Sequence, residues 1–179
     1  MNTQAVRRVQ VIGNHMAGAV RDEVKGRSAP QNRSFANVDE MKKAVGTEVG
    51  RVNTFADATC DWQWIHTEPE RAKKESPFGG PVAHGFLTLS LAPFLNAEAI
   101  PRLEGVKMGV NYGLNKVRFI APVHVGASVR TRVTLKEVTD VPGGIQVIIE
   151  GTFEVKEKGK SEPSKKPVAI VEQIARYYV

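Results

Sequence analysis

Asp61 and His66 are the residues whose types and spacing best suit chemistry. They lie five positions apart, in a stretch where the pattern of residues indicates a loop. A turn in such a loop can bring a carboxylate and an imidazole to one water molecule, where the two act as a general acid and a general base. The same spacing is compatible with a structural hydrogen bond, so the neighbouring residues must decide between the two interpretations.

A glycine-rich corner, residues 78–85 (FGGPVAHG), follows this pair. It interrupts regular structure before the apolar segment 86–95, which we expect to be a buried helix without a solvent-facing side. The first turn of a helix leaves N–H groups without intrahelical partners, and Gly85 has no side chain to cover them. The Gly85 N–H is therefore a candidate donor to a substrate oxyanion at the positive end of the helix dipole.

Three segments of the chain resemble a known family. Residues 55–61 (FADATCD) followed by 63–66 (QWIH) resemble the motif of the MaoC-like dehydratases, which include the (R)-specific enoyl-CoA hydratases and a nodulation-protein-N-like branch. Residues 81–91 resemble the start of the central helix of that family, and residues 111–119 (NYGLNKVRF) resemble the first long strand after that helix in the nodulation-protein-N-like branch. The resemblance runs from about residue 35 to the C-terminus.

The resemblance implies one hot-dog domain over residues 35–179, an α+β fold in which an antiparallel sheet wraps around a central apolar helix. It implies the reversible hydration of a trans-2-enoyl-CoA to an (R)-3-hydroxyacyl-CoA, with Asp61 and His66 holding the water and the Gly85 N–H meeting charge on the thioester oxygen. Coenzyme A is part of this acyl-CoA substrate, so we expect no separate cofactor. A homodimer with joined sheets is also implied.

Further contacts to the substrate are expected from Trp64, His84 and Phe86 beside the acyl group. Lys116 and Arg118 are candidates for the phosphates of coenzyme A. Each has an alternative: a tryptophan in this position packs on the sheet equally well, a histidine at a helix start caps or packs, and charges on a strand are often only solvated.

A zinc site is the main alternative use of these side chains. Cys60, Asp61, His66 and His84 all have suitable ligand chemistry. Their spacing matches no zinc pattern, and adjacent residues rarely both face one ion. We therefore expect no metal.

Two departures from the family pattern affect the backbone near the motif. Cys60 stands where the motif usually has glycine, so a residue with a Cβ has to adopt the conformation required there. Family members also have a short first strand before the motif helix, whereas here residues 49–52 (VGRV) run straight on. We expect that strand to be missing, unless residues 47–50 take its place.

The net charge of +6 comes mostly from the N-terminal tail. Residues 1–34 contain six Lys/Arg and two acids, against 19 and 17 in the rest of the chain, so we expect a disordered basic tail and no nucleic-acid partner. One cysteine fits a reducing compartment and no apolar run is long enough for a membrane span, so we expect a cytoplasmic protein without a membrane partner. Arg7 and Arg8, with no acid before Asp22, make a mitochondrial location an alternative.

Capping residues and hydrophobic periodicity predict an α+β order of elements. We expect a helix from Asn37 to about Ala44, a helix over 51–59, and a kink or early end of the central helix at Pro93. The remaining expectations are strands around 106–110, 117–119, 129–136 and 145–155, each with one wet face, a hairpin turn at 140–144, and a charged loop over 156–166 leading into 167–179.

Two other functions remain as hypotheses. One is a catalytically impaired acyl-CoA-binding protein, which the missing strand and Cys60 favour. The other is a hot-dog acyl-CoA thioesterase, against which the Asp61 and His66 loop argues.

Overall fold

A computed structural model describes residue 47 and residues 49–100 and 103–179. In this part of the chain five helices precede four strands: α1 (Val49–Thr59), α2 (Trp64–Thr67), α3 (Pro69–Glu75), α4 (Gly85–Ser90), α5 (Ala92–Ala99), β1 (Met108–Phe119), β2 (Ser128–Val141), β3 (Gly144–Lys156) and β4 (Ala169–Tyr178). None of these helices is long and apolar enough to cross a membrane. The expected tail over 1–34 and the expected helix over 37–44 lie outside the described residues.

The four strands form one antiparallel sheet in the order β1-β4-β3-β2. A two-residue turn at Pro142 and Gly143 joins β2 to β3, where Val141 pairs with Gly144. Gly143 has a φ of +75°, which glycine adopts without steric cost, and the predicted hairpin turn is thus confirmed.

The core lies between one face of this sheet and the helices. Strand β3 alternates strictly between buried and half-buried residues, so its inward side chains form the middle of the core. Phe153 is completely buried. The buried residues around it come from the helices α1, α4 and α5, from the adjoining loops and from strands β2, β3 and β4: Val52, Ala83, Leu87, Leu91, Ala92, Leu95, Val123, Ala127, Val129, Val155, Val168, Ala169 and Val171.

The central apolar segment is two short helices rather than one. Helix α4 ends at Ser90 and α5 begins at Ala92, with Pro93 in its first turn. A proline ring fits a first turn but not a helix interior, which explains the predicted interruption. The expectation that no side of this segment faces solvent is wrong: Leu87 and Leu91 are buried, but Phe86 is 68% exposed.

Strand β1 differs from the prediction in two ways. It is one continuous strand of 12 residues instead of two short ones, and its pairing with β4 has irregularities after Asn111 and after Leu114 that disturb the period-two pattern. It also lacks a buried face, since Val117 alone is half-buried and the other eleven residues are exposed. Because β1 is an edge strand, it presents exposed apolar side chains along a free edge: Met108, Val110, Tyr112, Leu114 and Phe119.

Thr47 pairs with the segment that enters β2, in the region where the first strand of the family is expected from the sequence to be missing. Its N–H donates to the Ala127 carbonyl at 3.1 Å, and its carbonyl accepts from the Gly126 N–H at 2.7 Å. Val49 and Gly50 are already helical, and no strand precedes β1 within the described residues. Of residues 47, 49 and 50, then, only Thr47 pairs with the segment entering β2.

Replacing Thr47 by valine should lower the free energy of unfolding by about 1–3 kcal/mol. The Thr47 side chain is fully buried, and its hydroxyl lies 2.9 Å from the His124 carbonyl, 3.1 Å from the Ala127 carbonyl and 3.1 Å from the Gly126 N–H. Valine keeps the shape but loses the hydroxyl's three buried contacts, although each of the three backbone groups keeps one backbone partner. Denaturant titration measures the difference.

The matched control is Thr54→Val. The hydroxyl of Thr54 donates to the Gly50 carbonyl at 2.8 Å but is exposed to water. Equal losses of stability in the two variants would show that Thr47 does not anchor the segment that enters β2.

Candidate active site

The end of α1 aims Asp61 into the site. The Asp61 N–H donates to the Ala56 carbonyl at 3.1 Å, five residues back, which is the bond that closes a Schellman motif. The residue between helix and aspartate in this motif is left-handed, and Cys60 has a φ of +57°. Within the described part of the chain, Cys60 alone among the non-glycine residues has a positive φ. The strain predicted from a cysteine in the glycine position is therefore present.

His66 is held in one tautomer by a backbone carbonyl. It lies in α2, and its Nδ1 is 2.6 Å from the carbonyl oxygen of Val82. A carbonyl oxygen only accepts, so Nδ1 carries the proton and Nε2 presents a lone pair. Partial burial lowers the pKa of His66, with the hydrogen bond to Val82 opposing that effect and the nearby His84 adding to it. His66 is therefore a neutral base at pH 7.

His84 lies behind the other two residues and is only 2% exposed. Its Nε2–H donates to the backbone carbonyl of Asp61 at 2.9 Å, and its ring stacks on the ring of His66 with centroids 3.9 Å apart. Phe55 packs on it with ring centroids 5.1 Å apart. The structure therefore offers His84 no open surface toward a substrate, and places it where it positions both Asp61 and His66.

Asp61, His66 and His84 form one cluster, since one side-chain nitrogen or oxygen atom of each lies within 4.8 Å of the others. The Asp61 side chain is 53% exposed, so its carboxylate faces the solvent that would supply a water molecule. Such a cluster also has the chemistry of a metal site, but each histidine already donates one ring N–H to a carbonyl. The absence of a metal stays a prediction.

Gly85 begins α4 beside this cluster, and Phe119 of β1 covers it. A Cβ at position 85 would lie 3.1 Å from the Phe119 ring. Any residue larger than glycine would therefore make a close contact with this ring. A cavity of about 350 Å³ opens between them, and His66, Gly85 and Thr88 are the residues on its wall that are not apolar. This volume is in the range of small-molecule sites.

The remaining predicted residues lie at different distances from the cavity. Trp64 is half-buried and stacks under the Arg71 guanidinium, 4.6 Å from the ring centroid, and Phe86 contacts Phe119 edge-on at 5.8 Å. Lys116 and Arg118 are exposed and alternate along β1 with Val117 and Phe119, which point to the core side. Within this chain, the two basic residues are therefore not brought to the cavity.

Sequence reasoning missed two partners of the site. One is the Val82 carbonyl, which sets the tautomer of His66 but carries no side-chain signal. The other is Phe119, whose strand lies far along the chain from Gly85. Both contacts depend on tertiary packing.

His124 is a third residue whose role could not be predicted. Its Nε2–H donates to the Phe78 carbonyl at 2.9 Å and its Nδ1–H donates to Glu157 at 3.2 Å. The hydrogen bond to Phe78 is the main cause that raises the pKa of His124, and Glu157 adds to it. Phe78 lines the small cavity, so His124 fixes one wall of the site.

Comparison with known proteins agrees with this geometry. The family model described as MaoC like domain matches residues 31–157. The chain belongs to this family. The family prediction and its reaction class, that of a hydro-lyase, are thereby confirmed.

Among the relatives of this MaoC-like protein is the 3-hydroxyacyl-thioester dehydratase Z of Mycobacterium tuberculosis (strain ATCC 25618 / H37Rv), 45% identical over 156 residues that cover 81% of the chain and 98% of the relative. Nodulation protein N of Rhizobium leguminosarum bv. viciae is 46% identical over 108 residues, covering 55% of the chain and 67% of that protein. The covered 55% of 179 residues is about 98 residues, so about ten of the 108 aligned positions have no residue here. This shortfall agrees with a missing strand.

Solved structures confirm the hot-dog fold of the MaoC-like protein. The R-hydratase PhaJ1 from Pseudomonas aeruginosa has a TM-score of 0.58 and 19% identity, covering 73% of this chain and 74% of that chain. At this identity the likeness establishes the fold alone. The predicted α+β class, with an antiparallel sheet on a central helix, is correct.

Replacing Cys60 by glycine should raise the free energy of unfolding by about 1 kcal/mol, because glycine adopts a φ of +57° without steric cost. Cys60→Ala is the control: it removes the thiol but keeps the Cβ, so it should bring no gain. A gain of equal size in the alanine variant, measured by denaturant titration, would trace the effect to the thiol and contradict the strain at this position.

Proposed function

We propose that this protein catalyses the reversible hydration of a trans-2-enoyl-CoA to an (R)-3-hydroxyacyl-CoA. The observation that carries the proposal is the His66 tautomer: Nδ1 is committed to the Val82 carbonyl, so Nε2 keeps a free lone pair in a ring that clusters with Asp61. A neutral imidazole beside an exposed carboxylate suits the capture and deprotonation of one water molecule.

His66 is the first proton acceptor in this proposal. Its pKa is lowered by burial, so the ring is uncharged and able to accept a proton near pH 7. Asp61 accepts a hydrogen bond from the same water and orients it. As the water oxygen bonds to C3 of the enoyl group, the proton passes to His66 Nε2 and is then returned to C2. One proton leaves water and one reaches carbon, so the step is balanced without another donor.

The Gly85 N–H would meet the negative charge that develops on the thioester oxygen. It is the first N–H of α4, where no intrahelical acceptor exists, and the side chain of the preceding residue makes no capping bond. A preorganised donor of this kind typically contributes about 3–4 kcal/mol to the transition state. A Cβ at this position would press on the Phe119 ring, which lies 3.1 Å away, so glycine fits here with the least displacement of the ring.

His84 is a positioning residue rather than a substrate contact in this proposal. Its bond to the Asp61 carbonyl fixes the aspartate backbone, and its stack fixes the plane of the His66 ring. With the ring 2% exposed, it acts on the reaction through those two residues.

We also propose that two copies pair through β1. This edge strand exposes a row of large apolar side chains and unpaired backbone groups, which is a surface that proteins usually cover. A pairing across this edge would join the two sheets and place Lys116 and Arg118 near the second copy. That arrangement is where those two residues would reach the phosphates of coenzyme A.

The second candidate function is binding of acyl-CoA without turnover. The roughly ten positions missing relative to nodulation protein N and the strained Cys60 favour it, because a displacement of about 1 Å at a catalytic group costs about a hundredfold in rate.

Incubation with crotonyl-CoA and longer enoyl-CoAs separates the candidates. A hydratase consumes the enoyl absorbance, a thioesterase releases free thiol, and a binding protein does neither.

Asp61→Asn and His66→Gln should each lower kcat for crotonyl-CoA hydration by about a hundredfold or more. Asparagine keeps the shape of aspartate but loses its charge, and glutamine loses the basic nitrogen. Trp62→Phe is the control, because Trp62 is 56% exposed and its indole N–H donates to Asp57 instead of to the cluster. A folded Asp61 or His66 variant with the activity of the control would remove that residue from the mechanism.

The pH profile should show the lowered pKa of His66. Because the neutral ring is the base, kcat/KM should be level just above pH 6.5 and should fall only as the pH drops through a value below 6.5, the ordinary value for histidine. The measurement is the initial rate at low substrate across the acid range, with circular dichroism at each pH as a check on folding. An acid limb centred above 6.5 would contradict His66 as the base.

A further inference from the structure

A second and larger cavity lies along the other part of the central helical segment. It has a volume of about 900 Å³ and is enclosed by α5, the end of α4 and the inner faces of β1, β3 and β4. Most of its wall is apolar, with Leu89, Ala92, Leu114 and Ile149 as examples. A cavity of this size and character suits an acyl chain.

One buried polar pair interrupts the apolar wall. The side chains of Asn96 in α5 and Gln173 in β4 are each 8% exposed, and the Asn96 Nδ2–H donates to Gln173 Oε1 at 3.0 Å. Within the described part of the chain, Asn96 Oδ1 and Gln173 Nε2 have no hydrogen-bond partner. The pair therefore leaves one acceptor and one donor unused.

This result does not depend on how the two amides are oriented. If both were turned over, Gln173 would donate to Asn96, and the atoms left over would again be one donor and one acceptor. Leaving a buried polar atom unpaired costs about 1–3 kcal/mol. Two such atoms at the same place are a cost that a ligand with a matching group would remove.

The backbone around Gln173 leaves space for its amide. A Cβ on Gly151 of the neighbouring strand would lie 3.3 Å from Gln173 Nε2, so a glycine at this position avoids crowding the nitrogen.

The helical segment connects this pair to the catalytic cluster. Gly85, Leu89, Ala92 and Asn96 follow one another at spacings of four, three and four, so they lie on one face of the segment. Eleven residues at a rise of 1.5 Å place Asn96 about 16 Å from Gly85. An acyl chain whose thioester oxygen meets Gly85, and which follows this face, brings its distal carbons to the pair.

We propose that Asn96 and Gln173 bind a hydroxyl group carried by the distal part of the acyl chain. This inference rests on the proposed function. A hydroxyl both donates and accepts, so it satisfies the unused acceptor and the unused donor together, whereas a methylene satisfies neither. The two free atoms are covered in the unliganded protein, so binding requires the two amides to rotate toward the incoming oxygen.

The test compares trans-2-enoyl-CoAs of graded chain length with their ω-hydroxylated counterparts. At the chain length that reaches the pair, kcat/KM should favour the hydroxylated substrate by about tenfold, as expected for one to two net hydrogen bonds. The double variant Asn96→Leu/Gln173→Met replaces both amides by apolar groups of similar shape. It should fold and should reverse the preference.

Ser90→Ala is the matched control. Ser90 also lines the cavity, but its hydroxyl already donates to the Phe86 carbonyl at 2.7 Å. Removing this hydroxyl should therefore leave the ratio of the kcat/KM values for the hydroxylated and plain substrates unchanged. Calorimetric titration of the wild-type protein with saturated acyl-CoAs and with ω-hydroxyacyl-CoAs measures the same preference in binding, as the ratio of their Kd values. That measurement does not depend on a variant that folds or on any turnover.

The outcomes separate this inference from the proposed function. Turnover of plain enoyl-CoAs with no preference for the hydroxylated series at any length would overturn the inference and leave the function intact. Absence of turnover with every substrate would overturn the function, and the ratio of Kd values would still decide the inference. A preference that survives in the double variant would also overturn it, because the hydroxyl would then be bound elsewhere.

Discussion

The hydrogen bond from His84 to the backbone carbonyl of Asp61 joins the two segments on which the site depends. One segment leaves α1 with Asp61, and the other enters α4 with Gly85. Because the His84 ring is buried, this bond is shielded from competition by water, and the ring can also support His66 by stacking. The bond from His66 to the Val82 carbonyl and the bond from the Val82 N–H to the Ile65 carbonyl then tie α2 to the segment that enters α4.

The backbone is strained at the end of α1, and hydrogen bonds hold it in place at the opposite wall of the site. Cys60 holds a left-handed conformation so that Asp61 points out of the helix end, which is an arrangement that protein folds tolerate mainly at functional sites. The opposite wall is tied down by His124, which reaches both Phe78 and Glu157, and by Thr47, which bonds to the segment entering β2. These polar anchors fix the wall of the site that faces away from α1.

The two halves of the central segment serve different purposes. Helix α4 presents Gly85 to the small cavity beside His66, while α5 presents Asn96 to the large cavity over the sheet. The junction near Pro93 divides the two halves, while the N–H groups of Leu91 and Leu95 still donate to the carbonyls four residues back, so the halves continue along one helical path. The apolar side that includes Leu87, Leu91 and Leu95 remains in the core throughout.

The sequence by itself determined the local features of this protein. The motif around Asp61 and His66, the glycine corner, the proline break and the Pro142–Gly143 turn each depend on residues close together in the chain, so their signals could be read directly. Only the tertiary structure decided that β1 leaves most of its side chains exposed, that Val82 selects the tautomer of His66, and that His84 lies under the site instead of facing it. It also brought Asn96 to Gln173 across 77 positions. These features depend on which distant segments pack together, and neither periodicity nor motif spacing carries that information.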